Sequence, residues 1–233
     1  MINQLIVSRY NEDTSWTKNF KNTIIYNKGN EIQSNHPVIN LENVGREAHT
    51  YLHHIIENYD NLADVNCFMQ GFPFDHLKIW FGMENDALGL HRFKKQYLEI
   101  PENHLMCNCA LSINLNDCYK NHLEYDKNNL PQDSRHEIPI RNNEIWHDWW
   151  YSKIDPNKLV DIHKPTRMFW SALFSVRKEA ILSNSKDYYK MLIKDLDHVH
   201  PIHAYYFESS WSYIFNIVDN FNMVDLGHNQ IVD

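Results

Sequence analysis

The chain has 233 residues, enough for one large domain with a sizeable core and no need of cross-links. Hydrophobic residues make up 43%, aromatics 13% and charges 22%, which excludes the disordered and fibrous classes. A net charge of -8, with 15 histidines counted as neutral, excludes a dedicated nucleic-acid binder, whose basic footprint must displace phosphate counterions.

"QLIVSRYNED" reads as a strand over Leu5 to Ser8 that runs into a polar turn. "NTIIYNKGN" repeats the pattern, with apolar residues stopping at Tyr26-Asn27-Lys28-Gly29, and "PVINLENVG" is a third short run. A helix follows: Ala48, Tyr51, Leu52, Ile55, Ile56 and Tyr59 recur at the three-four spacing of one face, with Asn43 suited to cap its start. "ADVNCFMQGFPFDH" is a further buried strand ending at Gln70-Gly71, after which Asp75 is suited to cap the next helix. The stretch from about Glu84 to Asp161 is irregular, and reads as an insertion around a strand in "LMCNCALSINL". "RMFWSALFSVRKEAIL" then predicts a strand leading into a helix, and "DYYKMLIKDLDHV" and "YYFESSWSYIFNIV" predict one helix each. Asp195-Leu196-Asp197 falls in the first of these as surface charge. Short apolar strands alternating with helices predict an α/β single domain over residues 1–233, with a mostly parallel sheet whose site lies along one edge. Leu5 to Ser8, Thr23 to Tyr26 and Val65 to Met69 are expected to be neighbours in it.

No apolar run approaches the roughly 20 residues that span a bilayer, and "MINQLIVSRYNEDTSW" lacks the layout of a secretion signal. We expect no transmembrane segment and a cytoplasmic chain. Cys67, Cys107, Cys109 and Cys118 form no CxxC pair or regular framework, which points to reduced, buried thiols.

Three patterns bear on chemistry. Gly45 and Arg46 open the helix, whose first turn presents unpaired N–H groups and the positive end of its dipole, so a phosphate or diphosphate can be held there. The bland alternative is a solvated arginine beside a glycine that serves only the turn. His49 and His53 share a flank of that helix with Arg46 at a spacing that suits metal ligation, but a zinc-protease helix carries glutamate where Thr50 stands. The histidines of "HVHPIH" have no cysteine or carboxylate pair at finger-like spacing and read as an uncoordinated loop, and "WHDWW" offers faces that could stack on sugar rings or bases, although tryptophans clustered this way are more often packing residues. Six scattered glycines make neither GxGxxG nor GxxxxGK, and no GxSxG is present.

Taken together and in order, "VSRYNEDTSW", "IIYNKG", "NVGREAHTYLHHIIENY", "FMQGFPFDH", "FWSALFSVRKEAIL" and "FESSWSYIF" resemble the domain-of-unknown-function family 3431 over most of the chain. More distantly the arrangement is similar to the GT-A glycosyltransferases, in the opening strand with its Asn-Glu turn, the Asn-x-Gly-Arg-acid segment and the late strand-helix unit. The resemblance implies a GT-A-like nucleotide-diphospho-sugar-transferase fold, a nucleotide sugar as donor, and a glycan or other hydroxyl acceptor. It implies a donor site of Arg9, Tyr10, Asn11, Glu12, Tyr26, Asn27, Lys28, Asn43, Gly45, Arg46 and Gln70 in one cleft. Glu208 or Asp75 would take the acceptor proton. His76, Trp170 and Trp211 would contact the acceptor, with Glu208 and Trp211 one helical step apart. The chain departs from the common pattern in having no Asp-x-Asp at the strand end, which leaves a divalent metal in doubt and passes the diphosphate to Arg9, Lys28 and Arg46. The rival readings are a metal-dependent hydrolase using Asp75 and His76, and a non-catalytic carbohydrate-binding protein on the same fold.

Overall fold

The computed structural model describes residues 1–114, 146–157, 165–199, 201, 203–217 and 223–225. Seven strands form one sheet: β1 (Asn3–Arg9), β2 (Thr23–Asn27), β3 (Val38–Asn40), β4 (Val65–Gln70), β5 (Met106–Asn114), β6 (Pro165–Arg177) and β7 (Met223–Asp225). They stand in the order β3-β2-β1-β4-β6-β5-β7. The block β3-β2-β1-β4 is parallel throughout, with Val7 beside Ile25 on one side and Met69 on the other. β6 runs antiparallel to both of its neighbours, and β7 is parallel to β5. The predicted neighbourhood of the first, second and fourth strands is therefore present, in an α/β architecture with a mixed, mostly parallel sheet flanked by helices.

Both faces of β1, β2 and β4 are covered, which explains why these strands read as unbroken apolar runs rather than alternating ones. Side chains still alternate between the faces. Ile6, Tyr26 and Phe68 enter one core with Tyr51, Leu52 and Ile55 of α1 (Arg46–Glu57). Leu5, Val7, Cys67 and Met69 enter the other with Trp16, Phe74 of α2 (Phe74–Phe81) and Phe93 of α3 (Ala87–Phe93). Cys67 is a buried free thiol, and burial pushes its pKa up to about 12. The register of β5 on β6 slips between Asn108 and Ala110, opposite a bend in β6 where Ala172 takes φ 51°. A bulge of this kind turns a long strand.

Three expectations are corrected. Helix α1 is capped by Gly45, not Asn43: Gly45 lies in the left-handed region with φ 63°, and no side chain caps the turn. Asp75 is not a cap either, since Pro73 holds that position and Asp75 is exposed in the first turn of α2. Of the stretch from about Glu84 to Asp161 read as an irregular insertion, α3 packs on the core and β5 lies inside the sheet, while residues 115–145 and 158–161 lie outside the described residues. Asp195 is not surface charge: its carboxylate accepts from Trp149 Nε1 at 2.9 Å and pairs with Lys153 at 3.5 Å, fastening α4 (Trp146–Lys153) to the turn at Ile193–Leu196.

The C-terminal helix also departs from its apolar pattern. It breaks into α7 (His203–Glu208) and α8 (Trp211–Ile214), which follow α5 (Lys178–Ile181) and α6 (Lys186–Leu192). The hydroxyls of Ser209 and Ser210 both donate to Tyr206 O, at 3.0 and 2.7 Å. Serine side chains that take a backbone carbonyl in this way compete with the helix ladder.

Candidate functional site

Chain order reverses between β1 and β4: β2 and β3 are added on one side of β1, and β4 on the other. In an open α/β sheet the crevice at the carboxyl ends of such a pair is where ligands bind. Here those ends are Arg9-Tyr10-Asn11-Glu12 and Gln70-Gly71. They approach closely. Glu12 Oε2 accepts the Tyr10 N–H at 2.7 Å, and a Cβ on Gly71 would stand 2.4 Å from the same oxygen. Gly71 O accepts from Trp16 Nε1 at 2.8 Å.

The residues expected to hold a donor divide into two groups. In the first, side chains tie the strand ends to one another. Buried Arg9 donates from Nε to Glu12 O at 3.0 Å, and from Nη1 to Tyr10 O at 3.0 Å, Asn27 Oδ1 at 2.5 Å and Asn30 O at 2.9 Å. Asn27 Nδ2 serves Gly29 O, Asn30 O and Asn40 Oδ1, and Asn11 Oδ1 accepts from Asn30 N at 2.9 Å. Gly29 is needed there, because a Cβ would lie 1.6 Å from Tyr10 O. Arg9 is therefore a fastening, its guanidinium engaged by carbonyl oxygens and an amide. Tyr26 is another, its hydroxyl against His54 Nδ1 at 2.9 Å, with burial pushing its pKa up to about 12. Outside this knot lies an open groove of about 1040 Å³ between the loop after β1 and the loop joining β2 to β3. Arg9, Asn11 and Glu12 line it, and so do Asp13, Lys18, Gln33 and His36, which the sequence reading passed over.

The second group surrounds the start of α1. Lys28 Nζ donates to Val44 O at 2.6 Å and to Arg46 O, stapling the turn that opens the helix. Burial lowers its pKa to about 8, against an opposing pull from Glu47. The glycine's freedom is used by the protein itself: a Cβ on Gly45 would stand 2.6 Å from Leu196 O, and Gly45 N donates to His198 O at 2.6 Å. Arg46 follows at φ 49°, a strained value for a residue with a side chain. Its guanidinium lies over the Tyr205 ring, 4.9 Å from the centroid. Burial opposes its charge, but Glu47, Tyr205 and Glu208 outweigh that and raise its pKa further.

Glu47, which the sequence offers with Glu42 as an acid that could pair with Arg46 and fasten the helix start, reaches further than that. Its charge reaches Lys28, Arg46, Tyr51 and His76. The available signal was a carboxylate in the first turn of a helix, directly after Gly-Arg, where the dipole favours an anion. His76 sits in the first turn of α2, with its pKa lowered by burial against the pull of Asp75 and Glu47. His49 and His53 stack at 6.2 Å with planes 16° apart. Burial, Lys28 and His53 bring the pKa of His49 down to about 4.

The expected single cleft is thus a groove and an adjoining charged cluster. The groove takes Arg9, Asn11 and Glu12, and the cluster takes Lys28, Gly45 and Arg46, with half-buried Asn43 in the turn before it. Glu208 is buried within reach of Arg46 and Tyr51. Trp211 does not share a helix face with it. The Trp211 ring is fully buried among Phe174, Phe207 and Phe215, at 5.1, 5.3 and 5.8 Å, and has no face to offer a sugar. Trp170 is on β6, but its side chain lies outside the described residues. Trp149 and Trp150 are core residues. Among the described residues no group of three or more His, Cys, Asp or Glu is placed to hold a metal ion, and no helix is long and apolar enough to cross a membrane.

No curated protein and no solved structure matches this chain. One family model does, over residues 5–224, spanning the strand ends, the groove and the Arg46 cluster alike. The chain belongs to the family described as proteins of unknown function, DUF3431.

Proposed function

We propose that the protein transfers a sugar from a nucleotide-sugar donor to a hydroxyl acceptor, with the donor diphosphate at the start of α1. The observation that carries this reading is Arg46. It is a cation at a helix N-terminus, at the carboxyl ends of the parallel strands, held in a strained conformation over Tyr205. Its guanidinium bonds Tyr205 and stands in the field of Glu47 and Glu208, which fix it at that position. Strain of this kind persists only where the surroundings hold it, and it clusters at active sites and ligand clamps.

In the proposed reaction an acceptor oxygen attacks the anomeric carbon as the bond from that carbon to the diphosphate breaks. Negative charge gathers on the leaving oxygen, where Arg46 and the first-turn amides of α1 stabilise it. The acceptor proton passes to a carboxylate. Asp75, exposed at the start of α2 with His76 beside it, is the carboxylate this reading assigns to that proton. Glu208 is buried near Arg46 and serves better to hold that guanidinium in place.

The test is Arg46→Ala against a panel of nucleotide sugars, with affinity and melting temperature measured on one preparation. A charge-assisted bond to phosphate contributes about 1.5–3 kcal/mol, so affinity should fall roughly 10- to 150-fold with the fold retained, and lysine should restore part of it. Unchanged affinity with a lowered melting temperature assigns Arg46 to structure and ends the proposal.

A further inference from the structure

We infer that the groove beside the strand-end knot binds an uncharged, hydroxyl-rich group carrying a vicinal diol. The groove is too large to be a packing fault, at about 1040 Å³, and it opens between two loops that the Arg9-Asn27 knot holds in place. Its formal charges cancel, with Arg9 and Lys18 against Glu12 and Asp13. They are also largely occupied. Arg9 donates to three carbonyl oxygens and an amide oxygen, and Asp13 accepts from Ser15 N and Oγ, both at 2.8 Å. A phosphate would meet no free, buried cation here. What the lining does offer is short side chains with amide, hydroxyl and carboxylate groups, together with aliphatic surface from Ile32 and Val38. Adjacent hydroxyls on a ring match that set, since each can donate to a carboxylate and accept from an amide.

The groove and the charged cluster are joined by consecutive residues: Asn27 bonds Arg9 in the groove wall, and Lys28 bonds the Arg46 carbonyl. A ligand with a neutral polyol end and an anionic end could span both. The inference rests on the transfer reading for that second end only. The diol has two possible sources, the ribose of a nucleoside or the ring of a glycan, and the groove's chemistry is the same for both.

The test is ligand-observed NMR on the whole chain with four ribonucleosides, their 2′,3′-dideoxy analogues and a linear oligosaccharide. Two variants accompany wild type: Asn35→Trp, which places a large ring in the groove from an exposed position, and Glu12→Gln, which keeps the shape and removes the charge. Binding of a ribonucleoside or of the oligosaccharide should be seen on wild type and fall at least about tenfold with Asn35→Trp, which corresponds to about 1.4 kcal/mol. It should also weaken in Glu12→Gln. A diol ligand's affinity should hardly change with added salt, whereas that of inorganic pyrophosphate, tested as a control, should fall. A ribonucleoside signal that its dideoxy analogue lacks assigns the groove to ribose, and an oligosaccharide signal alone assigns it to glycan. If diol ligands bind both wild type and Asn35→Trp equally, or fail to bind while a nucleotide sugar still binds through Arg46, the groove inference is overturned and the transfer reading stands. If no nucleotide sugar, nucleoside or oligosaccharide binds wild type, both fall.

Discussion

The two faces of the sheet are packed from the same materials and put to different uses. On the face covered by α2 and α3, Trp16 meets Phe20, Phe74 and Phe93 edge-on at 5.6–5.8 Å, and its N–H is bonded to Gly71 O. On the face covered by α1, Trp211 is as deeply buried among aromatic rings, yet its Nε1 has no partner among the described residues, and neither does the Tyr51 hydroxyl. Nearby stand Arg46, Glu47 and Glu208. A buried polar group without a partner costs stability, and such costs concentrate where a site is maintained. The difference teaches that Trp16 is bonded into its aromatic cluster, whereas Trp211 and Tyr51 give up a hydrogen bond beside the charges at the strand ends.

Trp16→Ala should be the most damaging of the changes that probe this contrast, because it removes a full aromatic side chain and its one hydrogen bond: a loss of about 3–5 kcal/mol. Trp211→Phe should cost less than about 1.5 kcal/mol, since it discards an N–H with no partner and keeps most of the ring. Urea unfolding of the pair measures the gap, and equal losses would erase the distinction between the two tryptophans.

Lys28→Met comes next. It leaves Val44 O and Arg46 O without their buried donor, for a loss of about 1–3 kcal/mol that is reduced by no longer burying an ammonium. The pH dependence sharpens this. The folded pKa of Lys28, about 8, lies below its ordinary 10.5, so between those values the unfolded chain holds a proton that the folded one does not. Wild-type stability should therefore gain a rising contribution from Lys28 from about pH 8 upward, and the methionine variant should lack it; parallel curves would assign Lys28 no titration in this range.

The histidines of α1 act at the opposite end of the scale. Burial lowers His49 and His54 from 6.5 to about 4, His49 with help from Lys28 and His53, and His54 with help from His53. His54 is buried and His49 half-buried, both neutral, so the stability they allow is complete above about 6.5 and is lost as pH falls toward 4. The urea midpoint should drop across that window, and His49→Gln should flatten the drop.

The smallest effect concerns the strained turn. At φ 49° a side chain is disfavoured by about 1–2 kcal/mol, so Arg46→Gly should be more stable than Arg46→Ala by about 1 kcal/mol while binding a nucleotide sugar no better. Equal melting of the two variants would remove strain from the account of the site.

How much of this was legible beforehand depends on the range of the interactions. The three parallel strands and the buried face of α1 could be read from local pattern, because a strand covered on both faces must be apolar along its length, and a helix on a core repeats at three and four. Other features are set by residues far apart in the chain. Gly45 owes its necessity to Leu196 and His198, and Arg46 owes its position to Tyr205. Glu47 could be read from the sequence as a neighbour of Arg46, but only β2 and α2 bring Lys28 and His76 into its field. Arg9 and Lys28 stand at strand ends as a ligand site requires, but only the folded loops show that their donors are taken by carbonyls. Glu208 and Trp211 have the spacing of a shared helical face, and two serine hydroxyls bonding one carbonyl undo it. Sequence by itself determined which segments must be buried, because burial follows from composition and period. The tertiary structure decided which polar groups remain for chemistry, since that depends on which partners distant segments bring to each donor and acceptor.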